Sequence, residues 1–325
     1  RFEQNMVQNN LSKLKNIKNV KDIENKRNQM IKFLWERNSL PNYENMTLRK
    51  NHSDGRYSDM ENLKKIDNLE IIIKFGINSI QYHFIPEESN NRLIIYHQGH
   101  NGDFIIGKST ISRLIKEGYS VLAIGVPLYG MNDMPIVDIE GIGKFKLARH
   151  DLIEFLEPKT GHNLKFFIEP VISGINYLER TYNYDDISMM GISAGGWTTT
   201  LAAAIDPRIS KSFPIAGTYP MVLRDWGRND YSDYEHTEPE MLRIANYLDM
   251  YVMGSYGEER RQLQILNKFD TCCFSGERSN LYKSDIQDLV NILGEGKFDT
   301  FIDSSHSTHS ISKKSLEIIL RNLSN

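Results

Sequence analysis

Cysteine is nearly absent: the 325 residues include only Cys272 and Cys273, adjacent in the chain. Neighbouring cysteines very seldom bridge, so no disulfide framework holds the chain together, and no cysteine spacing suited to a metal is present. The pair reads as buried strand residues. Long hydrophobic runs are missing too, since no stretch of about 18 apolar residues occurs, which excludes a membrane-spanning helix. Nor does one sign of charge dominate. Lys and Arg number 39 against 42 Asp and Glu, a net charge of −3 with the signs interspersed. Nucleic acid, which needs a strongly basic face, is therefore not an expected partner, and a small molecule is. The chain begins at Arg1, so a trimmed start residue, signal peptide or anchor is expected and the compartment stays open. Sequons at Asn45, Asn51 and Asn322 are no more than chance provides in so Asn-rich a sequence.

The composition, 40% hydrophobic and 25% charged, is that of a globular protein long enough to bury a core without staples. Residues 1–65, rich in Asn, Lys and Glu, read as an N-terminal helical extension. Its helix spans about Val20 to Arg37, with Ile23, Met30, Ile31 and Leu34 on one face and Pro41 beyond its end. From Leu69 the period changes. Leu69–Phe75 and Ile77–Phe84 form a strand pair joined at Gly76, and strands then alternate with helices. Apolar strands are expected at 93–97, 121–126, 187–191, 212–216, 262–266 and 298–302. Helices are expected at 110–117, from Pro170, from Trp197, and from about Ser312. Strands apolar on both faces and separated by helices require a mostly parallel sheet covered on either side, with ligands outside the carboxyl ends of the strands.

Gly191-Ile192-Ser193-Ala194-Gly195 falls between such a strand and such a helix. In that context Gly-x-Ser-x-Gly has a mechanical meaning. The serine is forced into a strained turn that lifts its hydroxyl above the sheet, and the glycines make room for the neighbouring strand and helix. The helix N-terminus offers free N–H groups to a developing oxyanion.

On these residues the chain, from about Leu69 to its end, resembles the α/β-hydrolase superfamily, and within it the esterases and acyl-sugar deacetylases. The resemblance implies a catalytic domain over 66–325, with insertions at about 129–169 and 218–261 forming a cap and substrate walls. It implies a triad in the chain order serine, acid, histidine. Ser193 is the nucleophile. Asp270, in Asn267-Lys268-Phe269-Asp270 after a strand, is the acid, with Glu277 and Asp285 as alternatives. His309 is the base, with His306 in the same loop as the alternative. The oxyanion hole is expected from the backbone N–H groups of Ala194 and of His100, the latter in Gln98-Gly99-His100, which resembles the family's His-Gly-x turn.

No cofactor and no metal is expected. His97 and His100 could form a metal pair with Asp103, but no further ligand set accompanies them at fixed spacing. The insertions carry His150, His162, Tyr219, Trp226, Tyr231, Tyr234, Glu235 and Tyr251, which suit a polar or carbohydrate-like substrate better than a long fatty chain, although any one ring is more simply a packing residue. The expected function is hydrolysis of a carboxylic ester, acetyl-type in its acyl group, through an acyl-enzyme. A peptidase or thioesterase on the same scaffold, and a non-catalytic binding protein, remain open alternatives. Oligomeric state is open.

Overall fold

In a computed structural model, residues 11–42, 45–100 and 102–324 are described, the side chain of Trp226 excepted. Helix α1 (Val20–Trp35) starts where Asn19 and Asp22 cap each other, each side chain accepting from the other's backbone N–H. It buries Ile23, Met30, Ile31, Leu34 and Trp35, the face that the helical period predicted. The extension is tied to the body by side-chain hydrogen bonds: Trp35 Nε1 donates to Glu169 at 3.1 Å, and Arg27 Nε to the Ala204 carbonyl at 3.1 Å.

Chain order then runs β1 (Met46–Arg49), β2 (Leu63–Ile72), β3 (Asn78–Pro86), β4 (Arg92–His97), α2 (Lys108–Lys116) and β5 (Ser120–Ile124). A small hairpin, β6 (Ile136–Ile139) and β7 (Gly143–Lys146), lies within the first insertion. After it come α3 (Lys165–Thr181), β8 (Asp186–Ile192), α4 (Ala194–Ile205) and β9 (Ile209–Ile215). The second insertion carries α5 (Pro239–Ile244) and α6 (Tyr247–Ser255), and β10 (Arg261–Asn267), α7 (Lys283–Leu293), β11 (Lys297–Asp303) and α8 (Lys313–Ser324) complete the fold.

Nine strands form one sheet in the order β1-β2-β3-β5-β4-β8-β9-β10-β11. From β5 to β11 all neighbours are parallel; β1 to β3 extend the sheet antiparallel, with β3 joined to β5. β1 and the first residues of β2 lie within the stretch 1–65. The parallel strands are buried on both faces, as Leu93–Tyr96 and Ile187–Ile192 illustrate, because helices cover both sides.

Two expectations are corrected. Pro170 does not open α3 but lies inside it, since the helix begins at Lys165. The buried run Phe166, Phe167 and Ile168 extends the apolar face N-terminally, and its packing outweighs the one hydrogen bond that a proline removes. Cys272 and Cys273 are not strand residues either. They follow the end of β10 in a loop, Cys272 exposed and Cys273 buried.

The loops that carry the candidate residues leave the carboxyl ends of the parallel strands. β4, β8, β10 and β11 are parallel strands of one sheet, with β9 between β8 and β10, and end at His97, Ile192, Asn267 and Asp303, so the turns that follow them share one end of the sheet.

Candidate active site

Ser193 sits between β8 and α4 at φ 58°, ψ −126°, a backbone conformation that costs about 1–3 kcal/mol and persists only where the surroundings enforce it. They do so through hydrogen bonds and close packing. The Ser193 N–H donates to the Ile215 carbonyl on β9 at 3.0 Å, and its own carbonyl accepts from Trp197 N–H at 3.0 Å. A side chain at Gly191 would bring its first carbon to 2.3 Å from the Gly195 carbonyl oxygen, and one at Gly195 to 2.2 Å from that of His97. Strand, elbow and helix therefore cross closer than any other residue permits. All twelve residues of α4 are buried, so the helix cannot back away to relieve the turn.

The loop after β4 passes directly beside the serine. A first carbon at Gly99 would lie 2.7 Å from Ser193 Cβ. This brings the backbone of Gly99 and His100 alongside the N-terminus of α4, where the Ala194 N–H has no intrahelical acceptor.

His309, in the loop after β11, and Asp270, in the turn after β10, are brought together across 39 residues: His309 Nδ1 lies 2.7 Å from Asp270 Oδ2. The carboxylate is held from other directions as well, accepting from Cys272 N–H at 2.8 Å and from Asn267 Nδ2 at 3.1 Å. Burial opposes charge on both partners, raising Asp270 and lowering His309. Their mutual hydrogen bond and charge attraction, with the Cys272 and Asn267 donors on the carboxylate, together outweigh it, so the carboxyl stays below its ordinary value and the imidazole above its own.

The loop that carries His309 is anchored by Asp303 at the end of β11. Its carboxylate accepts from Ser305 N–H at 2.8 Å, from Ser315 Oγ at 2.7 Å, and from Ser312 Oγ.

The other candidates lie elsewhere. Nε2 of His306 is 3.1 Å from the Ser310 carbonyl, and its Nδ1 is 3.6 Å from Asp303. Glu277 pairs with Lys268 at 2.9 Å, and Asp285, on α7, with Lys15 at 3.1 Å. His97, His100 and Asp103 do not assemble. His97 Nδ1 faces the Gln98 carbonyl at 2.8 Å, and Asp103 binds Arg56 at 2.6 Å.

Ser193, His309 and His100 line one cavity of about 160 Å³. The rest of its wall is polar and aliphatic, with Gln98, Ile106, Ile192, Asn229, Ser232, Asp233 and both cysteines. A second hollow of about 100 Å³ adjoins it, sharing Gln98, Ile106, Ile192 and His309 and adding Thr110 and Ile311. Wider depressions occur on the surface, one of about 430 Å³ among Asp186, Arg261 and Lys297. Those are the first residues of β8, β10 and β11, at the opposite end of the strands from the serine.

Several rings of the insertions take the packing role. Tyr219 and Tyr251 are fully buried packing residues, Tyr234 packs on Phe167, and His162 stacks on Phe33. The Tyr231 carbonyl accepts from Arg224, and the Trp226 side chain lies outside the described residues. His150 and Glu235 do meet, Nδ1 to Oε1 at 3.5 Å, beside His100. The sequence reading missed Asp233, Ser232, Asn229 and the cysteines as wall residues. Polar loop residues carry no periodic signal, and adjacent cysteines fit a strand as well as a loop.

No protein-family model and no curated protein matches the sequence. Solved structures do. The chain is similar to acetyl xylan esterase 1 from Thermoanaerobacterium sp. JW/SL YS485, at 13% identity and a TM-score of 0.58 over 93% of this chain and 92% of that one. It is similar to an acetyl xylan esterase from Paenibacillus sp. R4, at 16% identity and a TM-score of 0.59 over 99% of both chains. With the methylesterase BT1017 it shares 13% identity and a TM-score of 0.66 over 99% of this chain and 67% of that one. At such identities the likeness is one of architecture, and it agrees with the strand order and the elbow: the chain has the α/β-hydrolase fold.

Proposed function

We propose that this chain is a serine hydrolase cleaving carboxylic esters, with a short acyl group on a polar, carbohydrate-like substrate. The observation that carries the proposal is the 2.7 Å contact between His309 and Asp270 at the rim of the cavity that holds Ser193. His309 Nε2 takes the Ser193 proton as Oγ adds to the ester carbonyl. The oxyanion is held by the N–H groups of Ala194 and His100, and the protonated imidazole, stabilised by Asp270, returns the proton to the departing alcohol. Water, deprotonated by the same imidazole, then adds to the acyl-enzyme, and Ser193 leaves with that proton. Two hollows of about 160 and 100 Å³ flanking His309 match a small acyl group on one side and a polar alcohol on the other. The acetyl xylan esterase and methylesterase names of the similar structures support the same choice.

The test is a panel of p-nitrophenyl esters of increasing chain length, followed by acetylated sugars, on the wild-type chain and on Ser193→Ala. Acetate and propionate esters are turned over by the first and not by the second, and a fluorophosphonate probe labels Ser193. An active Ser193→Ala chain refutes the nucleophile. Turnover confined to acyl chains of about eight carbons or more refutes the short-acyl pocket.

A further inference from the structure

Against the wall of the Ser193 cavity, three separate segments bring together two imidazoles and two carboxylates: His100 from the loop after β4, His150 from the first insertion, and Asp233 and Glu235 from the second. The ordinary account would be an ion-pair cluster, but apart from the contact of Asp233 with His150 the hydrogen bonds such a cluster needs are missing. Neither carboxylate oxygen of Glu235 has a hydrogen-bond partner, although its side chain is 0% exposed. His100 Nε2 and His150 Nδ1 lack partners as well, His150 with a side chain 3% exposed. A buried carboxylate with no donor costs several kcal/mol, which a native core does not tolerate without compensation.

The spacing supplies the compensation. Glu235 Oε1 lies 3.5 Å from His100 Nε2 and 3.5 Å from His150 Nδ1, with no hydrogen bond to either, and the ligand atoms of the cluster all lie within 4.8 Å of one another. Ligands about 2.1 Å from a tetrahedral ion stand about 3.4 Å from one another, from the geometry of the tetrahedron and the usual zinc–ligand distances. His236 Nε2, 3.7 Å from Glu235 Oε1, is no closer to a hydrogen bond.

Asp233 plays a different part. Its Oδ2 lies 3.2 Å from His150 Nε2, where a carboxylate accepting that ring N–H holds the proton on Nε2 and leaves the Nδ1 lone pair free for an ion. With neutral imidazoles and ionised carboxylates the cluster carries two negative charges, which one divalent cation neutralises.

We propose that His100 Nε2, His150 Nδ1 and Glu235 bind a divalent transition-metal ion, with zinc the best match to the two-nitrogen, one-carboxylate donor set, and that Asp233 orients His150 for it. The fourth position falls to water or a substrate oxygen from the cavity, which His100 and Asp233 line. The ion ties both insertions to the loop that carries the proposed oxyanion donor. It stiffens the site without entering the acyl-transfer steps.

The experiment measures Zn²⁺ binding to the chelator-stripped full chain by calorimetry and elemental analysis, so its outcome is independent of any esterase activity. The expected result is one ion per chain. Binding weakens by more than 100-fold in Glu235→Gln and His150→Gln, and by about 10–100-fold in Asp233→Asn. It is unchanged in Ser193→Ala and in a Cys272→Ser, Cys273→Ser double variant. The Co²⁺ form of the wild-type chain gives tetrahedral d–d bands without thiolate charge transfer, a reading that needs no variant to fold. Absence of stoichiometric Zn²⁺, wild-type affinity in Glu235→Gln, or a thiolate band from Cys272 and Cys273 beside His309 each overturns the proposal.

Discussion

Replacing Asp270 by Asn tests the acid–base pair most directly, because the surroundings of this carboxylate dictate what an amide there must do. Asp270 Oδ1 faces the Cys272 N–H, while Oδ2 faces His309 Nδ1 and Asn267 Nδ2. All three neighbours offer hydrogens, and an amide has only one oxygen. If that oxygen keeps Cys272, the NH₂ group points at His309 Nδ1 and drives the ring proton to Nε2, the atom that must accept the serine proton. If it turns to His309 instead, two N–H groups collide at Cys272 and the turn after β10 shifts. Misplacing the tautomer of a triad histidine costs about 10⁴ in kcat, or ~5 kcal/mol of barrier. The assay is kcat and kcat/KM on p-nitrophenyl acetate from about pH 5 to 9, with circular dichroism to confirm an intact fold. His309 acts as a base only when neutral. The carboxylate holds its pKa above the ordinary histidine value, so wild-type activity rises with pH through that raised value. Without the carboxylate the residual activity of Asp270→Asn has its acid limb displaced to lower pH. A variant that keeps more than about a tenth of wild-type kcat, or an unmoved acid limb, refutes the assignment of Asp270.

Gly99→Ala places a carbon 2.7 Å from Ser193 Cβ and 2.8 Å from the Ile192 carbonyl, both fixed by the elbow, so the loop after β4 must withdraw. The expected cost is about 10²–10³ in kcat with little change in KM, and an unchanged kcat argues against an oxyanion donor from this loop. The hydrogen bond from Cys273 brings the Cys272 thiol down to about 7, and Cys273 Sγ lies 3.9 Å from His309 Nε2. Iodoacetamide should therefore inactivate the chain increasingly as pH rises through 7, and Cys272→Ser should protect it; equal inactivation of both sinks this assignment. Burial raises the Asp303 carboxyl, but the serine hydroxyls and the Ser305 N–H prevail and hold it at about 2. Its contribution, about 2 kcal/mol, is present above the unfolded-state pKa and lost as pH falls toward 2. Chemical denaturation at pH 6 and pH 3 should find that Asp303→Asn lowers stability about twice as much at the first pH as at the second, and equal losses would contradict it.

The separation between what sequence and tertiary structure decide follows from the range of the interactions. Strand and helix periods, the capping residues of α1 and the Gly-x-Ser-x-Gly elbow are set by residues within a turn or two of one another. The order of apolar strands and the position of Ser193 were therefore legible along the chain. The start of α3 was not, because burial of Phe166 against Phe75 and of Phe167 against Trp197 of α4, rather than local proline chemistry, decided it. Two histidines three residues apart present the same local pattern. Only the fold shows that His309 meets Asp270, 39 residues away, while His306 turns to Ser310 and Asp303. An aromatic side chain serves a core and a pocket equally well, so the sequence left both roles open for the tyrosines of the insertions, and only the fold puts Tyr219 and Tyr251 in the core. The cluster of His100, His150, Asp233 and Glu235 has no sequence signature at all. Its members stand on three segments whose spacing carries no periodicity, and only the convergence of loops at the carboxyl ends of the parallel strands brings their ligand atoms within 4.8 Å of one another.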